Sequence, residues 1–248
     1  MSQKLEPKFA CASCRLRARP DFKPVTAKQL AWIEAQKLGQ VRVEPGEPIL
    51  EQLAKGERLY TLLEGWAFRF KDLPDGRRQI LNILLPGDLI GLQGELLAAS
   101  THGVEAVTPV LLCAFRRDTV EELYREQPAL ALDVTWLAAL GERLSDDVLL
   151  TVGRRNAMER IATLLVHLYK RATSAGLGDT SGIPFPLTQQ HIADALGLSA
   201  VHTNRVLQSL RRLKLIRLGD GKLAIGDLRA LRRVADYWEQ PAPARPLL

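Results

Sequence analysis

The spacing of apolar and polar positions changes along the chain and separates regions of different predicted structure. Residues 26–38 have apolar side chains at helical spacing behind Thr26, a residue type that caps helices. From residue 40 to 118, short apolar stretches alternate with turn residues about every ten positions, which predicts short antiparallel strands closed into a roll or barrel. The clearest strand pattern is the alternation of three aromatic residues, which places their side chains on one face of a strand: Trp66, Phe68 and Phe70.

The following region has the period of helices. Residues 119–152 have apolar or small side chains three, four or seven positions apart, at Leu130, Val134, Leu137, Leu144, Val148 and Thr151. Packing of the helix onto its own roll would produce this seam, and so would a coiled-coil dimer contact. We favour the dimer contact, because the roll needs only part of such a length. Gly153 is predicted to be a hinge, followed by a helix over residues 157–170.

After a loop rich in Gly, Ser and Pro, residues 188–213 predict a helix-turn-helix. Thr188 and Ser199 are placed to cap its two helices, and Gly197 supplies the positive φ that the tight turn needs. The second helix is predicted to bury Thr203, Val206, Leu207, Leu210 and Leu213. Beyond Ile216, the sequence RLGDGKLAI predicts a β-hairpin, which is the wing of a winged helix-turn-helix.

The distribution of charge favours a polyanionic partner. Residues 154–248 carry 15 Lys+Arg against 7 Asp+Glu, a net charge of +8, whereas residues 1–153 carry 19 against 21, a net charge of −2. A localised positive domain suits nucleic acid, because neutralising phosphates releases condensed counterions. A basic surface without a nucleic-acid partner would show the same excess, so the charge supports the helix-turn-helix prediction without deciding it.

The outward face of the second helix, residues 199–212, is predicted to read base edges of double-stranded DNA in the major groove. Arg205 can pair with guanine, Asn204 or Gln208 with adenine, and Val201 can contact a thymine methyl group. Six further residues are predicted to contact phosphates, which set the register of the protein on DNA but carry no sequence information: Thr188, Ser199, His202, Arg211, Arg212 and Lys222.

From Val41 to Ile225 the sequence resembles the Crp/Fnr family of bacterial transcription regulators. The resemblance rests on the glycines of the roll, the segment GDLIGLQGE, the long helix, the segment GRRNAMERIA and the winged helix-turn-helix. It implies an α+β fold, with an N-terminal antiparallel β-roll of the cyclic-nucleotide-binding jelly-roll type, a long dimerisation helix and a C-terminal DNA-binding domain. It also implies a homodimer, a near-palindromic operator, a signal sensed in the roll or the cysteine region, and RNA polymerase as a partner of an activator.

The predicted domains are an N-terminal arm (1–24), a β-roll sensor (25–118), a dimerisation helix region (119–153) and a winged helix-turn-helix domain (154–248). The apolar runs are too short to span a bilayer, and the first residues lack the apolar core of a signal peptide. We therefore expect a cytoplasmic protein without a membrane partner.

Two departures from the family pattern bear on its ligands. Members that bind cyclic nucleotides have an Arg-Ser pair some ten residues after a Gly-Glu; here Gly94-Glu95 is followed by residues 99–102 without an arginine. A cyclic phosphate would lack its charge-assisted partner, so we expect no tight binding of cyclic AMP. A glutamate common in the family's recognition helix is Val201 here, which cannot accept from cytosine, so the operator should differ at that position.

The chain has three cysteines, Cys11, Cys14 and Cys113, which is too few for a disulfide framework. Oxygen-sensing members of the family hold an iron–sulfur cluster with cysteines in a similar layout, and such a cluster normally has four thiolate ligands. Asp21 or His102 are candidates for the fourth ligand, and the spacing selects neither. The alternatives are a structural role for Cys113 in the core, and a zinc or redox role for the Cys11–Cys14 pair.

These residues leave three classes of function. A DNA-binding regulator explains the most features and implies that the protein is not an enzyme. A small-molecule sensor that acts through a protein contact would leave the DNA affinity incidental. A dithiol redox enzyme using the Cys11–Cys14 pair would lack the βαβ context that such motifs usually have.

Overall fold

A computed structural model describes residues 4–7, 9–54, 56, 58–96, 99–237 and 244–248, with the backbone alone for Glu95 and Leu96. Its helices are α1 (Ala27–Gln36), α2 (Leu92–Leu96), α3 (Thr119–Glu126), α4 (Pro128–Arg154), α5 (Ala157–Ser174), α6 (Gln189–Leu196), α7 (Ala200–Arg212) and α8 (Leu228–Val234). Its strands are β1 (Lys37–Val43), β2 (Pro48–Leu50), β3 (Arg58–Glu64), β4 (Ala67–Asp72), β5 (Arg78–Leu84), β6 (Leu89–Ile90), β7 (Gly103–Ala106), β8 (Val110–Arg116), β9 (Ile183–Pro184), β10 (Ile216–Gly219) and β11 (Lys222–Ile225). Within these residues, no helix is long and apolar enough to cross a membrane.

The predicted roll is present as two four-stranded sheets. Their strand orders are β1-β8-β3-β6 and β2-β7-β4-β5, and the registered pairs within them are antiparallel. Apolar side chains such as those of Leu62 and Leu112 are fully buried in the roll. The three aromatic residues predicted on one face of β4, Trp66, Phe68 and Phe70, are all buried. The α+β prediction is therefore confirmed.

Three predicted helix boundaries differ from the structure. The first helix ends at Gln36, because the chain from Lys37 pairs with β8 as strand β1 instead of continuing the helix. The region predicted to be helical over 119–152 consists of two helices that meet at Gln127, since a proline at position 128 removes an amide donor and disfavours helical backbone before it. Gly153 is not a break, because α4 continues to Arg154.

Helix α4 changes its surroundings along its length. Its first turns are anchored by Leu130 and Val134, which are buried in one cluster with residues of the roll. Residues 135–150 include no buried side chain, although Leu137, Leu144 and Val148 are half-buried and Leu149 is exposed. The chain therefore leaves an apolar stretch of about four helical turns without a complete cover.

The contacts divide the chain into two compact units. One comprises Met1–Lys71, Leu84–Glu142 and Ala242–Leu248, and the other comprises Asp72–Ile83 and Arg143–Pro241. This division differs from the predicted domain 154–248, because the last described residues, 244–248, pack with the roll and the N-terminal arm. The local sequence pattern of residues 244–248 does not predict these contacts, because their partners are distant in the chain.

Candidate nucleic-acid interface

The first helix of the helix-turn-helix, α6, begins and ends as the sequence predicts. The hydroxyl oxygen of Thr188 accepts a hydrogen bond from the backbone N–H of His191 at 3.1 Å, which satisfies a donor left free by the first helical turn. At the other end, Gly197 has φ 63° and ψ 40°, in the left-handed region that glycine enters without steric cost. The turn between α6 and α7 is therefore encoded locally.

The second helix, α7, is the predicted recognition helix. Ser199 caps it by accepting from the backbone N–H of His202 at 3.2 Å. The predicted inner face is buried at Thr203, Val206, Leu207 and Leu210. The prediction for Leu213 is wrong: this side chain is 59% exposed, because the helix ends at Arg212 and the chain turns away from the buried face.

The four predicted base-reading residues share the face of α7 that is not packed on the domain. Val201 is 64% exposed, and Arg205 and Gln208 are exposed as well. Asn204 is half-buried, and its side-chain amide donates a hydrogen bond to the Gln189 side chain of α6 at 2.9 Å. Asn204 therefore has a partner within the protein, whereas Arg205 presents a guanidinium able to make two parallel hydrogen bonds with guanine.

The predicted phosphate-contacting residues fall into two groups. Thr188, Ser199 and His202 are exposed at the N-terminal ends of α6 and α7, where backbone donors and the helix dipole favour anions. The cations are engaged within the protein. Arg211 donates to the carbonyl oxygen of Leu218 in β10, and Arg212 donates to the Ser209 hydroxyl at 3.0 Å.

Lys222 lies on the wing and is also engaged. Strands β10 and β11 are joined by Asp220 and Gly221, which both have positive φ, the conformation of a tight two-residue hairpin turn. The Lys222 ammonium donates to the Ser181 hydroxyl at 2.6 Å and to the Asp179 carboxylate at 3.2 Å. Hydrogen bonds from Ser181 and then from Lys222 lower the pKa of Asp179 to about 2.

An arginine that the sequence reasoning missed holds the helix-turn-helix on α5. The guanidinium of Arg160 donates to the carbonyl oxygen of Leu196 at 3.0 Å and to that of Arg155 at 2.8 Å. The first of these carbonyls belongs to the last residue of α6, where backbone acceptors lack helical partners. Arg160 lies in the GRRNAMERIA segment, but only the fold shows which carbonyls it reaches.

A separate polar group lies inside the roll. His102 is buried, and its Nδ1 is 2.9 Å from the side-chain oxygen of Gln93. Burial, and then the charges of Arg69 and Lys71, lower the pKa of His102 to about 4. The Nε of Arg69 is buried and has no hydrogen-bond partner in the part of the chain that the structure describes.

The three cysteines approach one another across the fold. Cys11 lies in a short 3-10 turn of the arm and Cys113 in β8, and both are buried in the same apolar cluster. Cys14 is half-buried and packs beside it, against a cluster that contains Leu16 and Phe22. Burial raises the pKa of the Cys113 thiol to about 11 and also raises the pKa of Cys11, so both thiols stay protonated at neutral pH.

The cysteine region does not fit a closed metal or cluster site as it stands. Among the described residues, no three His, Cys, Asp or Glu side chains are grouped so that they could hold a metal ion. Neither candidate for a fourth ligand is supported: His102 is hydrogen-bonded to Gln93 inside the roll, and Asp21 is exposed on the arm. Metal-bound cysteines must also be thiolates, and burial favours the protonated form of these thiols.

Comparisons with known proteins agree with this architecture. Residues 40–127 match the cyclic nucleotide-binding domain family, and residues 159–234 match the Crp-like helix-turn-helix domain family. The transcriptional activatory protein AadR of Rhodopseudomonas palustris is 35% identical over 185 residues, which cover 74% of this chain and 76% of AadR. The nitrogen fixation regulation protein FixK of Bradyrhizobium diazoefficiens is 30% identical over 219 residues, which cover 88% of this chain and 90% of FixK.

Solved structures show the same likeness. FixK2 from Bradyrhizobium japonicum superposes with a TM-score of 0.71 and 25% identity, covering 79% of this chain and 96% of FixK2. A CRP-family transcriptional regulator from Thermus thermophilus superposes with a TM-score of 0.64 and 27% identity, covering 79% of this chain and 96% of that regulator. With a roll, a long helix and a winged helix-turn-helix that match these regulators in sequence and structure, the chain belongs to the Crp/Fnr family of DNA-binding transcription regulators.

Proposed function

We propose that this regulator binds near-palindromic double-stranded DNA as a homodimer and reads each half-site with the exposed face of α7. The observation that carries the proposal is the placement of Val201, Arg205 and Gln208 on one exposed face of a helix capped at Ser199. The opposite face of that helix is fixed in the domain core. A helix held in this way can enter the major groove without unfolding any of its packing.

Footprinting on the promoter region of the protein's own gene tests this proposal. We expect protection of two inverted half-sites whose centres lie about one helical turn, or about 34 Å, apart. The matched control is the same fragment with one half-site scrambled, on which protection should weaken steeply. Protection without two-fold symmetry, or salt-dependent binding without sequence preference, would contradict the proposal and favour a sensor that acts through a protein contact.

The incompletely covered part of α4 supports the homodimer. Residues 135–150 of α4 expose apolar side chains, which matches a helix-to-helix interface between two copies better than a surface facing water. Two copies joined there would present two α7 helices, as a palindromic site requires. RNA polymerase is the partner we propose if the protein activates transcription.

The effector site departs from that of cyclic-nucleotide binders, and we propose that cyclic AMP does not control this protein. Residues 99–102, which follow Gly94-Glu95, include no arginine, and the Ser100 hydroxyl donates to the carbonyl of His102 at 2.9 Å. Footprints recorded with and without cyclic AMP should therefore coincide. A shift to stronger protection on adding the nucleotide would show that other residues bind it.

A second candidate function is redox or oxygen sensing through the cysteines, with an iron–sulfur cluster as the cofactor. The supporting observation is that Cys11 and Cys113, about a hundred residues apart, share one buried cluster; the lack of a fitting ligand group argues against it. Anaerobic purification, followed by an absorbance spectrum and iron and sulfide analysis, decides the matter. Protein without iron and sulfide would leave the thiols themselves as the only redox groups of this region.

The dithiol-enzyme alternative receives less support from the same cysteines. An attacking thiol in such an enzyme needs a lowered pKa, but burial raises the pKa of Cys11. The relatives named above are transcription regulators. We therefore propose that the protein is not an enzyme; turnover of a disulfide substrate by the purified chain would contradict this.

A further inference from the structure

The last described residues, 244–248, return to the N-terminal arm. The backbone N–H of Arg245 donates to the carbonyl of Asp21 at 2.8 Å, and the N–H of Lys23 donates to the carbonyl of Arg245 at 2.8 Å. Phe22 and Arg245 thus form a parallel β-bridge. Farther along, the Thr61 hydroxyl in β3 donates to the carbonyl of Leu248 at 3.0 Å. The segment is therefore held by backbone hydrogen bonds at Arg245 and by a side-chain hydroxyl at Leu248.

Side chains fix the segment as firmly as its backbone. The Arg245 guanidinium forms an ion pair with Asp88, whose side chain is only 6% exposed. Leu247 is buried with Leu16 and Phe22, and the Phe22 ring in turn lies where a side chain at Gly87 would stand. A buried ion pair and buried leucines on so short a segment make its position specific.

The same segment covers the cysteines. Leu248 is buried in the cluster that contains Cys11 and Cys113, and Cys14 packs against the cluster that contains Leu247. Thr61, which holds Leu248, is the register partner of Cys113 across the β3–β8 pair. Residues 244–248 therefore form part of the apolar cover that keeps water and reagents away from the thiols.

Two cations interact electrostatically with the Cys11 thiol. Lys37 is 3% exposed, and its ammonium donates to the carbonyl of Phe9 at 2.7 Å. The Nη1 of Arg17 is buried and lacks a hydrogen-bond partner within the described part of the chain. Buried cations normally have anionic partners, and in the described residues neither cation has a carboxylate within ion-pair distance.

We propose that residues 244–248 are a latch over a modification site, at which Cys11 becomes a nucleophile toward soft electrophiles when the latch opens. In the closed state, burial is the largest influence on Cys11 and its pKa is raised, although Lys37 and Arg17 act to lower it. Opening returns water to the thiol and leaves both cations in place. The thiol then meets reagents dissolved in water, and more of it is present as the thiolate, which is the reactive form of cysteine.

Alkylation by iodoacetamide probes the site directly. The Cys11 thiol loses its proton to solvent, its sulfur attacks the methylene carbon, a carbon–sulfur bond forms, and iodide leaves with the electron pair of the carbon–iodine bond. Rates at each cysteine are measured by mass spectrometry at neutral pH. The variants are the chain ended after Pro243 and Arg245→Lys, and the matched control is Ala244→Ser at an exposed position of the same segment.

We expect Cys11 to react about tenfold faster or more in the shortened chain, less strongly faster in Arg245→Lys, and unchanged in Ala244→Ser. Cys113 should remain slow, because it is buried in the core strand β8 and burial raises the pKa of its thiol to about 11. Equal acceleration of Cys11 and Cys113 would mean that the shortened chain has unfolded. In that case the alkylation rate of Cys11 in the Arg245→Lys variant is the test of the proposal. Unchanged Cys11 reactivity in a folded variant would overturn the proposal.

The role of the cations has its own readout. Adding Arg17→Gln to the shortened chain should move the pH profile of Cys11 alkylation to higher pH while leaving the plateau rate at high pH unchanged. The groups facing Cys11 that contribute to this profile are Lys37, Arg17, Glu34 and Cys14. An unchanged profile would show that Arg17 does not stabilise the thiolate.

In the sequence, residues 235–243 separate α8 from the latch, and the last step of the proposal is that latch opening is coupled to DNA binding. This step rests on the proposed DNA-binding function. If latch opening and DNA binding are coupled, operator DNA should change the alkylation rate of Cys11, because coupling between two sites is reciprocal. A rate that DNA does not alter would remove the coupling but leave the gated thiol, which is measured without DNA.

Discussion

The cations that we predict to contact DNA differ in how the fold engages them. Arg205 is exposed on the outward face of α7, whereas Arg211 is bonded to the carbonyl of Leu218 and Lys222 to Asp179. Both Arg211 and Lys222 must exchange an internal partner for a phosphate, or contact DNA while keeping that partner. We therefore assign most of the sequence specificity to Arg205 and its exposed neighbours, Val201 and Gln208.

Replacing Arg205 by alanine should cost about 1–3 kcal/mol of binding free energy on the preferred site, because a bidentate pair with guanine is lost. The preference for guanine at that position should disappear. The matched control, Lys222→Ala, should weaken binding about equally on all sequences, since a phosphate contact carries no sequence information. Titration of both variants on the operator and on single-base variants measures these effects. Retained guanine preference in Arg205→Ala would contradict the assignment.

His102 in the roll makes stability depend on pH. Its pKa of about 4 in the fold lies below the value of about 6.5 for an unperturbed histidine, so the unfolded chain binds the proton more readily between these values. The contribution of neutral His102 is complete above pH 6.5 and is lost as the pH falls toward 4. The slope is at most about 1.4 kcal/mol per pH unit.

The His102→Gln variant should lack this part of the pH dependence. Urea unfolding between pH 4.5 and 7 measures the free energy of unfolding of the variant and of the parent. The difference between the two curves should change by about 3 kcal/mol at most over this range. The His202→Gln variant, changed at an exposed position of α7, is the control and should follow the parent curve. Parallel curves for His102→Gln and the parent would show that another group causes the acid sensitivity.

At the scale of elements, local sequence decided where most helices begin. Thr26, Asn156, Thr188 and Ser199 each cap a helix with their side-chain oxygen, and the sequence signals for the first, third and fourth are visible without the fold. Helix ends were less predictable. Lys37 and Leu38 fit a helical pattern but lie in β1, since strand pairing with β8 satisfies their backbone groups instead.

The turn between α6 and α7 gives a prediction at this scale. Gly197→Ala should destabilise the protein by about 1 kcal/mol, because a side chain disfavours φ 63° even though the nearest atom is 4.0 Å from the added carbon. Gly153→Ala is the matched control: Gly153 is helical, and its added carbon meets nothing within 4 Å. That change should stabilise by about 0.5 kcal/mol. Urea denaturation measures the free energy of unfolding of both variants. Equal changes in the two variants would contradict the claim that the positive φ of Gly197 disfavours a side chain.

At the scale of the whole molecule, the apolar side of α4 is only partly buried within one chain. Leu137, Leu144 and Val148 follow the predicted seam and are only half-buried, while Leu130 and Val134 at its start are buried by the roll. Packing onto the roll therefore explains the beginning of the seam. Its middle is available to a second copy, as the proposed homodimer requires.

Leu144→Asp should dissociate the homodimer, because a carboxylate placed in the seam would have to lose its water on association. Sedimentation over a concentration series should show a dissociation constant raised about tenfold or more, and weaker operator binding should accompany it. Asp147→Asn, at an exposed position of the same helix, is the control and should leave the oligomeric state unchanged. A monomeric parent protein, or an unaffected Leu144→Asp dimer, would contradict this use of α4.

By itself, the sequence determined the order of elements, the helix-turn-helix with its caps and its glycine turn, and the side of α7 that packs on the domain. These features depend on backbone preferences and on side-chain periodicity within a few residues, which a sequence displays directly. Only the tertiary structure decided that Cys11 and Cys113 share a cluster with Leu248, that Lys37 and Arg17 act electrostatically on Cys11, and that Thr61 binds Leu248. Those placements join residues up to nearly the length of the chain apart, and such contacts depend on the packing of the whole fold.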